Sequence, residues 1–239
     1  MNDLPALAGA LRALHRPGTP FVLRNAWDAA SAKALGEGAL AVATTSVGVA
    51  ETLGYADGGH VPADLAFAAL GRIVAAVDVP VTADCEAGYG LGPDAFVEGL
   101  LGAGAVGCNL EDTDHATGAL RDPGEQAEYL AAIKDVGRAA GVDLVLNARV
   151  DVHVRGGTFE DGLVRARAYR EAGADCVYPI FCQDEEQIAA YVDAVGVINV
   201  SVHPSGPTVA RMGELGVARA SYGASLFRVA MKAAADYEP

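Results

Sequence analysis

Short apolar runs alternate with longer amphipathic stretches along the whole chain. The runs have the length of strands, and in the stretches between them apolar residues recur every three or four positions, as on one face of a helix. This alternation is typical of a parallel sheet built from βα units. The predicted strands are Val22–Trp27, Ala41–Ser46, Pro80–Glu86, Ala105–Asp112, Leu144–Asp151, Cys176–Phe181, Val197–Val202 and Val217–Gly223.

A helical pattern follows each of these strands. The predicted helices are Asp28–Leu35, Ala63–Val77, Pro93–Ala103, Pro123–Ala140, Phe159–Ala172, Asp184–Val195, Val209–Leu215 and Ala224–Tyr237. Gly104, Gly141, Gly173 and Gly216 stand where helices should end, since glycine takes the left-handed conformation there at little cost. A further helical pattern, Leu4–Leu14, precedes the first strand.

Eight βα units in 239 residues predict an α/β fold of the closed (β/α)₈ TIM-barrel type, because the typical barrel has roughly 250 residues. We expect a single domain over residues 1–239, with the helix at 4–14 capping the barrel from below. No low-complexity or Pro/Ser-rich linker divides the chain. In such barrels the active site lies at the carboxyl ends of the strands, so polar residues at those ends are the candidates for function.

Charge and cysteine content exclude several classes of function. The chain has 17 Lys+Arg against 31 Asp+Glu, a net charge of −14, whereas nucleic acids and anionic membranes are bound by clustered basic residues. The four cysteines form neither a CxxC motif nor a Cys/His cluster, which argues against a disulfide framework or a zinc site. With no signal-peptide pattern and no long apolar run, we expect a cytoplasmic protein without membrane or nucleic-acid partners.

Carboxylates collect at the predicted carboxyl ends of neighbouring strands. Alternation along the third strand sends Asp84 and Glu86 to one face, Glu111 ends the next strand, and Asp57 lies in the loop after the second. Converging carboxylates repel one another unless a cation binds between them. Oxygen ligands of this kind suit Mg²⁺, with Mn²⁺ as a possible substitute. The alternative is that these acids are solvated loop charges.

The fifth strand carries an arginine at its predicted carboxyl end. Asn147, Arg149 and Asp151 share one face of the strand by alternation. A guanidinium facing the acids has the bidentate geometry for a substrate carboxylate. The alternative is an arginine paired with Asp151 or Glu111 for structural reasons alone.

Five short runs of this chain together resemble the isocitrate lyase/phosphoenolpyruvate mutase superfamily, over about residues 20–225. They are Asn25-Ala26-Trp27-Asp28, Leu53-Gly54 to Asp57, Asp84-Cys85-Glu86-Ala87-Gly88-Tyr89-Gly90, Asn109-Leu110-Glu111-Asp112 and Asn147-Ala148-Arg149. The resemblance implies a barrel that binds Mg²⁺ and a 2-oxo acid, with chemistry through a pyruvate-like enolate.

The resemblance also implies roles for individual residues. Asp84 matches the acid that touches the metal directly, and the metal ligands acting mainly through water match Asp57, Glu86 and Glu111. Substrate binding falls to Arg149 and to the segment Thr45-Ser46-Val47, which lies where relatives use backbone N–H groups.

Departures from the family pattern concern the proton donor. The lyase K-[KR]-C-G loop, whose Cys serves as the acid, is absent. The loop after Glu111 lacks the Lys and Asn of the mutases. Ile180 stands where mutases have a His and lyases a Glu. Tyr89, His115 and His203 are the remaining candidates: Tyr89 or His115 as a catalytic proton carrier, and His203 in proton transfer or substrate binding. Each has an alternative as a packed or bystander residue.

The preferred hypothesis is a Mg²⁺-dependent lyase-type enzyme that cleaves or hydrolyses a C–C bond of a small, oxaloacetate-like 2-oxo or 2-hydroxy dicarboxylic acid. A first alternative is P–C bond chemistry of the phosphoenolpyruvate mutase or phosphonopyruvate hydrolase type, and a second is a non-catalytic barrel that binds Mg²⁺ and a 2-oxo acid. Lys33, Lys134 and Lys232 all fall in predicted helices, which argues against a Schiff-base aldolase. We expect a homo-oligomer in which few C-terminal residues remain to be exchanged between subunits.

Overall fold

The parallel strands form a closed ring in the computed structural model, which describes residues 3–238. The strands are β1 (Phe21–Leu23), β2 (Asn25–Ala26), β3 (Val42–Thr44), β4 (Val81–Asp84), β5 (Gly107–Glu111), β6 (Val145–Val150), β7 (Cys176–Pro179), β8 (Asn199–Ser201) and β9 (Arg219–Ser221). Strands β2 to β7 pair in chain order, and β8, β9 and β1 form a second parallel set. A bridge between Val177 and Ile198 joins the two sets on one side.

The first barrel strand closes the ring on the other side. It is divided at Arg24 into β1, which pairs with β9, and β2, which pairs with β3. Asn25 links the two pairings, since its Nδ2 donates to Thr44 O at 2.8 Å and its Oδ1 accepts from Gly223 N at 2.9 Å. The ring therefore has the eight strands of the predicted (β/α)₈ barrel, and the fold prediction is confirmed.

Helices surround the ring and connect successive strands. They are α1 (Leu4–Ala13), α2 (Ala29–Gly36), α3 (Ser46–Leu53), α4 (Ala63–Val74), α5 (Pro93–Gly102), α6 (Pro123–Ala139), α7 (Val152–Arg155), α8 (Phe159–Glu171), α9 (Glu185–Val195), α10 (Val209–Glu214) and α11 (Ser225–Ala235). Within residues 3–238, no helix combines the length and apolarity needed to cross a bilayer.

Two helices were not predicted from the sequence. Helix α3 begins directly after β3 at Ser46, whereas the sequence predicted a strand over Ala41–Ser46 followed by a loop. Gly48 is required inside this helix, because a Cβ there would lie 2.7 Å from the Cβ of Trp27. The short helix α7 follows β6 and takes Asp151 as its N-cap residue.

Helix α1 packs at the amino ends of the strands. Leu11 is fully buried against Gly107 of β5, where any side chain would collide with it. Arg12 donates to Asp175 Oδ1 at 2.7 Å and to the carbonyl of Leu144, the residues that lead into β7 and β6. These contacts leave the carboxyl ends of the strands open on the opposite side.

Candidate active site

A cavity of about 360 Å³ lies at the carboxyl ends of the barrel strands. Its wall includes residues of β2, β4, β5, β6, β7, β8 and β9, of the loops that follow the strands, and of helices α3 and α11. Seven predicted site residues line it, and the first three form one segment: Thr45, Ser46, Val47, Asp57, Asp84, Arg149 and His203. The cavity is therefore where barrel architecture places an active site.

Asp57 and Asp84 form an acidic pair in this wall. Asp84, the last residue of β4, accepts a hydrogen bond from Ser46 N at 3.0 Å, and its own N–H donates to Thr44 Oγ1 at 2.8 Å. Burial and the neighbouring charge of Asp84 raise the pKa of Asp57, while a hydrogen bond from Ser46 opposes the rise. Two of the four carboxylates that were predicted to converge thus lie near each other.

Glu86 does not extend this pair into the cavity. Strand β4 ends at Asp84, and Glu86 has a left-handed backbone with φ of 50°, so the alternation assumed for the sequence stops before it. Its carboxylate accepts a hydrogen bond from Gly59 N and lies 3.6 Å from His115 Nε2. Burial and the charge of Asp57 raise the pKa of Glu86 to about 7.

Glu111 contacts two cationic side chains. Its Oε1 lies 2.7 Å from His115 Nε2, and its other oxygen contacts Nη1 of Arg149. The contact with Glu111 raises the pKa of His115. Glu86, Glu111 and His115 therefore form a group beside the cavity, and none of the three is in the cavity wall.

Arg149 connects this group to the cavity. Its Nε and Nη2 donate to the two carboxylate oxygens of Asp151 at 2.6 and 3.1 Å, while Nη1 reaches Glu111. Burial alone would lower the pKa of Arg149, but Asp151 and Glu111 raise it. The structural pairing and the position in the cavity wall are both present, so the two interpretations of Arg149 are compatible.

Asp151 is itself held by a buried network. Its N–H donates to Asp112 Oδ1 at 2.9 Å, and Asp112 Oδ2 accepts from Arg165 Nη1 at 3.0 Å and from the Tyr169 hydroxyl at 2.7 Å. Such a network fixes the carboxylate that orients Arg149, so the guanidinium has one defined position.

The N-terminus of helix α3 also faces the cavity. Its first turn begins at Ser46, and its N-cap residue Thr45 makes no side-chain cap hydrogen bond. The Ser46 N–H donates to Asp84, and Ser46 and Val47 are in the cavity wall. The first amides of a helix attract anions, so this turn suits a carboxylate or oxo oxygen, as the family resemblance implied.

The three candidate proton carriers lie in different places. Tyr89 packs edge-on against Phe67 and is absent from the cavity wall, which fits its alternative as a packed turn residue. Burial raises the pKa of Tyr89 far above its usual value. His203 lies in the wall, with its Nδ1 2.7 Å from Ser205 Oγ.

Several residues of the cavity wall were not predicted as site residues from the sequence. Tyr178 of β7 and Ser201 of β8 contact each other through their hydroxyls at 2.7 Å, and Arg228 of α11 brings a second guanidinium to the wall. Ser221 also lines the cavity, as does Asn109, which was identified from the sequence only as part of a family motif without a role. Strand alternation could have predicted Tyr178 and Ser201, since both occupy the last inward-facing position of their strands. Arg228 lies on a helix, and no sequence pattern distinguishes it.

The carboxylates of the cavity wall suit Mg²⁺ only together with other ligands. Within residues 3–238, no three or more His, Cys, Asp and Glu side chains group closely enough to hold a metal ion by themselves. Mg²⁺ needs only one or two carboxylates, because water and substrate oxygens complete its shell. The close acidic pair of Asp57 and Asp84 fits this requirement, and the roles of Glu86 and Glu111 as metal ligands stay predictions.

The raised pKa of Glu86 predicts a pH-dependent effect of Glu86→Gln on stability. A carboxyl group whose pKa is higher in the folded state destabilises that state once it ionises, so wild-type stability falls through this group as the pH rises from its unfolded value of 4.5 to about 7. Glutamine carries no such charge. Without divalent cations, the variant should gain roughly 2 kcal/mol over wild type between about pH 5 and pH 8.

Thermal unfolding at several pH values measures this difference. Glu51→Gln, on the exposed side of α3, is the matched control and should show a constant difference from wild type. A difference for Glu86→Gln that does not grow with pH would contradict the assignment.

The fold and the site define an α/β-barrel protein with an acidic, anion-accepting cavity at the carboxyl end. The family model for phosphoenolpyruvate phosphomutase matches residues 11–238. The chain belongs to the isocitrate lyase/phosphoenolpyruvate mutase superfamily. This confirms the resemblance drawn from its motifs.

Individual relatives differ in how far they are understood. An uncharacterized protein of Mycobacterium tuberculosis H37Rv is 36% identical over 225 residues, which cover 93% of this chain and 84% of the relative. A Burkholderia cenocepacia J2315 structure, provisionally assigned as a phosphonomutase, is 40% identical with a TM-score of 0.91 and covers 97% of both chains. Oxaloacetate acetylhydrolase bound to its product oxalate is 26% identical with a TM-score of 0.85, covering 96% of this chain and 84% of the other.

Proposed function

We propose that this protein is a Mg²⁺-dependent lyase-type enzyme that cleaves or hydrolyses a C–C bond of a small 2-oxo or 2-hydroxy dicarboxylic acid of the oxaloacetate type. The observation that carries the proposal is one cavity wall that holds the Asp57–Asp84 pair, the α3 N-terminus and Arg149. Members of the superfamily include oxaloacetate acetylhydrolase, 2-methylisocitrate lyase and 2,3-dimethylmalate lyase, which supports carbon chemistry.

Asp84 and Asp57 would hold the metal ion, together with water and substrate oxygens. When bound, Mg²⁺ supplies positive charge that stabilises negative charge on substrate oxygens. Burial and the neighbouring charge of Asp84 raise the pKa of Asp57, and a cation bound by both carboxylates would relieve this repulsion, which supports the assignment.

The chain's own cationic and donor groups orient the substrate. Arg149 donates to one substrate carboxylate from the edge that faces the cavity, and the amides at the start of α3 donate to substrate oxygen atoms at the other side. Arg228 and His203 bring positive or hydrogen-bonding groups to the same wall and suit the second carboxylate. An acidic protein thereby offers a cationic surface to a dianion.

A hydroxyl pair is the best-placed proton carrier in the wall. Tyr178 and Ser201 share a 2.7 Å hydrogen bond inside the cavity, whereas Tyr89 lies outside it. Burial raises the pKa of Tyr178, so its hydroxyl keeps its proton near neutral pH and donates it rather than attacking as an anion. Ile180 and Phe181 form an apolar part of the wall, which favours a short carbon chain beyond the reacting atoms.

P–C bond chemistry is the second candidate. The 40% identity to a protein provisionally assigned as a phosphonomutase is the observation that favours it. Against it, residues 111–120 contain no Lys or Arg that would hold a phosphoryl group from the loop beside the cavity.

A panel of acids with Mg²⁺ distinguishes the candidates. Oxaloacetate, 2-methylisocitrate, 2,3-dimethylmalate and phosphonopyruvate are incubated with the protein, and products are followed by ¹H and ³¹P NMR. We expect turnover of one or more of the carbon acids. Turnover of phosphonopyruvate alone would favour the second candidate, and Mg²⁺-dependent binding without any product would identify a non-catalytic binding protein.

A further inference from the structure

Arg219 is a fully buried cation inside the barrel, beneath the floor of the cavity. The other buried cationic side chains each contact a carboxylate: Lys134 contacts Asp175, Arg149 contacts Asp151, and Arg165 contacts Asp112. Within residues 3–238, Arg219 contacts no carboxylate, and its Nη1 has no hydrogen-bond partner. An uncompensated buried charge costs stability, so packing alone is a poor explanation for this residue.

The guanidinium of Arg219 donates to two residues of the cavity wall. Its Nε donates to Ser221 Oγ at 3.2 Å, and its Nη2 donates to Asn109 Oδ1 at 3.2 Å. Asn147 Nδ2 donates to the same Asn109 oxygen at 2.7 Å. Ser221 and Asn109 both line the cavity, whereas Arg219 and Asn147 do not.

These bonds fix which polar atoms the wall presents. A carbonyl oxygen has two lone pairs, and those of Asn109 Oδ1 are taken by Asn147 and Arg219, so its Nδ2 group is the part left to act in the cavity. The oxygen of Ser221 accepts from Arg219, which leaves the hydroxyl hydrogen to be donated elsewhere. Both wall residues are thereby turned into donors.

We propose that Arg219 is a positioning residue that makes the cavity floor a donor surface, which holds oxygen atoms of the anionic substrate. The substrate remains a small carboxylic acid, so this step rests on the proposed function for its ligand class. Arg149 does not fix Asn109 or Ser221, because the residues that its guanidinium contacts are Asp151 and Glu111. The unpaired positive charge of Arg219, beneath the cavity floor, also attracts the anionic substrate.

Calorimetric titration with oxalate in the presence of Mg²⁺ tests the proposal on wild type, Arg219→Met and Arg219→Lys. Methionine fills the space without charge, so Asn109 and Ser221 lose the partner that fixes them. We expect Arg219→Met to bind oxalate at least roughly tenfold more weakly, with an unfolding temperature no lower than that of wild type. Arg219→Lys keeps the charge but cannot donate to Asn109 and Ser221 together. Its oxalate affinity should therefore lie between those of wild type and Arg219→Met.

Arg167→Met is the matched control, because it removes one exposed arginine charge from α8 and should bind oxalate as wild type does. Wild-type affinity in Arg219→Met would overturn the proposal, as would the absence of oxalate binding by wild type. If Arg219→Met does not fold, wild-type affinity in Arg219→Lys overturns it instead. Failure of the proposed function has a different signature: no turnover of any acid, with oxalate binding that still depends on Arg219.

Discussion

Replacing Asp84 by asparagine is expected to abolish Mg²⁺-dependent binding of oxalate and to lower turnover of the acid substrate at least ~100-fold. Asp84 ends β4 in the cavity wall, next to Asp57 and to the N-terminus of α3. Asparagine keeps the size and can still accept the hydrogen bond from Ser46, but it removes the negative charge that a cation requires. The fold should survive, because only the charge is lost.

Titration calorimetry with and without Mg²⁺ measures the binding, and the thermal unfolding temperature reports on the fold. Asp64→Asn, at the exposed first turn of α4, is the matched control and should leave binding unchanged. Oxalate binding by Asp84→Asn that responds to Mg²⁺ as in wild type would remove Asp84 from the metal site.

The sequence allowed the barrel and the main residues of its cavity to be predicted, because both depend on local patterns. Asp84 and Arg149 stand at strand ends that apolar runs define, and the barrel rule places strand ends together. The pattern was wrong where the backbone departs from a regular strand. Glu86 adopts a left-handed conformation two residues beyond Asp84, which turns its carboxylate toward Gly59 and His115.

Other parts of the site depend on contacts distant in sequence. Helix α3 packs so closely against the side chain of Trp27 that only glycine fits at position 48. No local sequence pattern predicts this contact. Arg219 lies between two alanines in the predicted strand Val217–Gly223, and this local sequence predicts nothing beyond a strand. Its contact with Asn109, 110 positions away, exists only because the barrel closes.

Charge in this site is distributed over two levels. In the cavity wall, Asp57 and Asp84 lie near each other, and neither forms an ion pair with a basic side chain in the described part of the chain, while Arg149 is held between Asp151 and Glu111. Below the wall, Arg219 carries a charge that no carboxylate offsets within residues 3–238. A divalent cation at the acids and a dianion above Arg219 would complement both levels, so metal and substrate should bind cooperatively.

Arg149→Lys is expected to reduce turnover by roughly 100- to 1,000-fold, even though the positive charge is retained. The guanidinium reaches Asp151 through Nε and Nη2 and Glu111 through Nη1, and a single ammonium cannot make these contacts and still face the cavity. The substrate carboxylate would then lose its bidentate partner. Misalignment of the bound acid should lower kcat as well as raise KM.

Steady-state kinetics and oxalate affinity measure the two effects separately. Arg211→Lys provides a matched control, since Arg211 also forms a two-pronged pair with a carboxylate, Glu185, but at the exposed surface. That variant should keep wild-type kinetics, because a surface ion pair contributes little and lies away from the cavity. Wild-type kcat and KM in Arg149→Lys would show that Arg149 serves only to neutralise Asp151 and Glu111, and the substrate carboxylate would then have to bind elsewhere, at the α3 N-terminus or at Arg228.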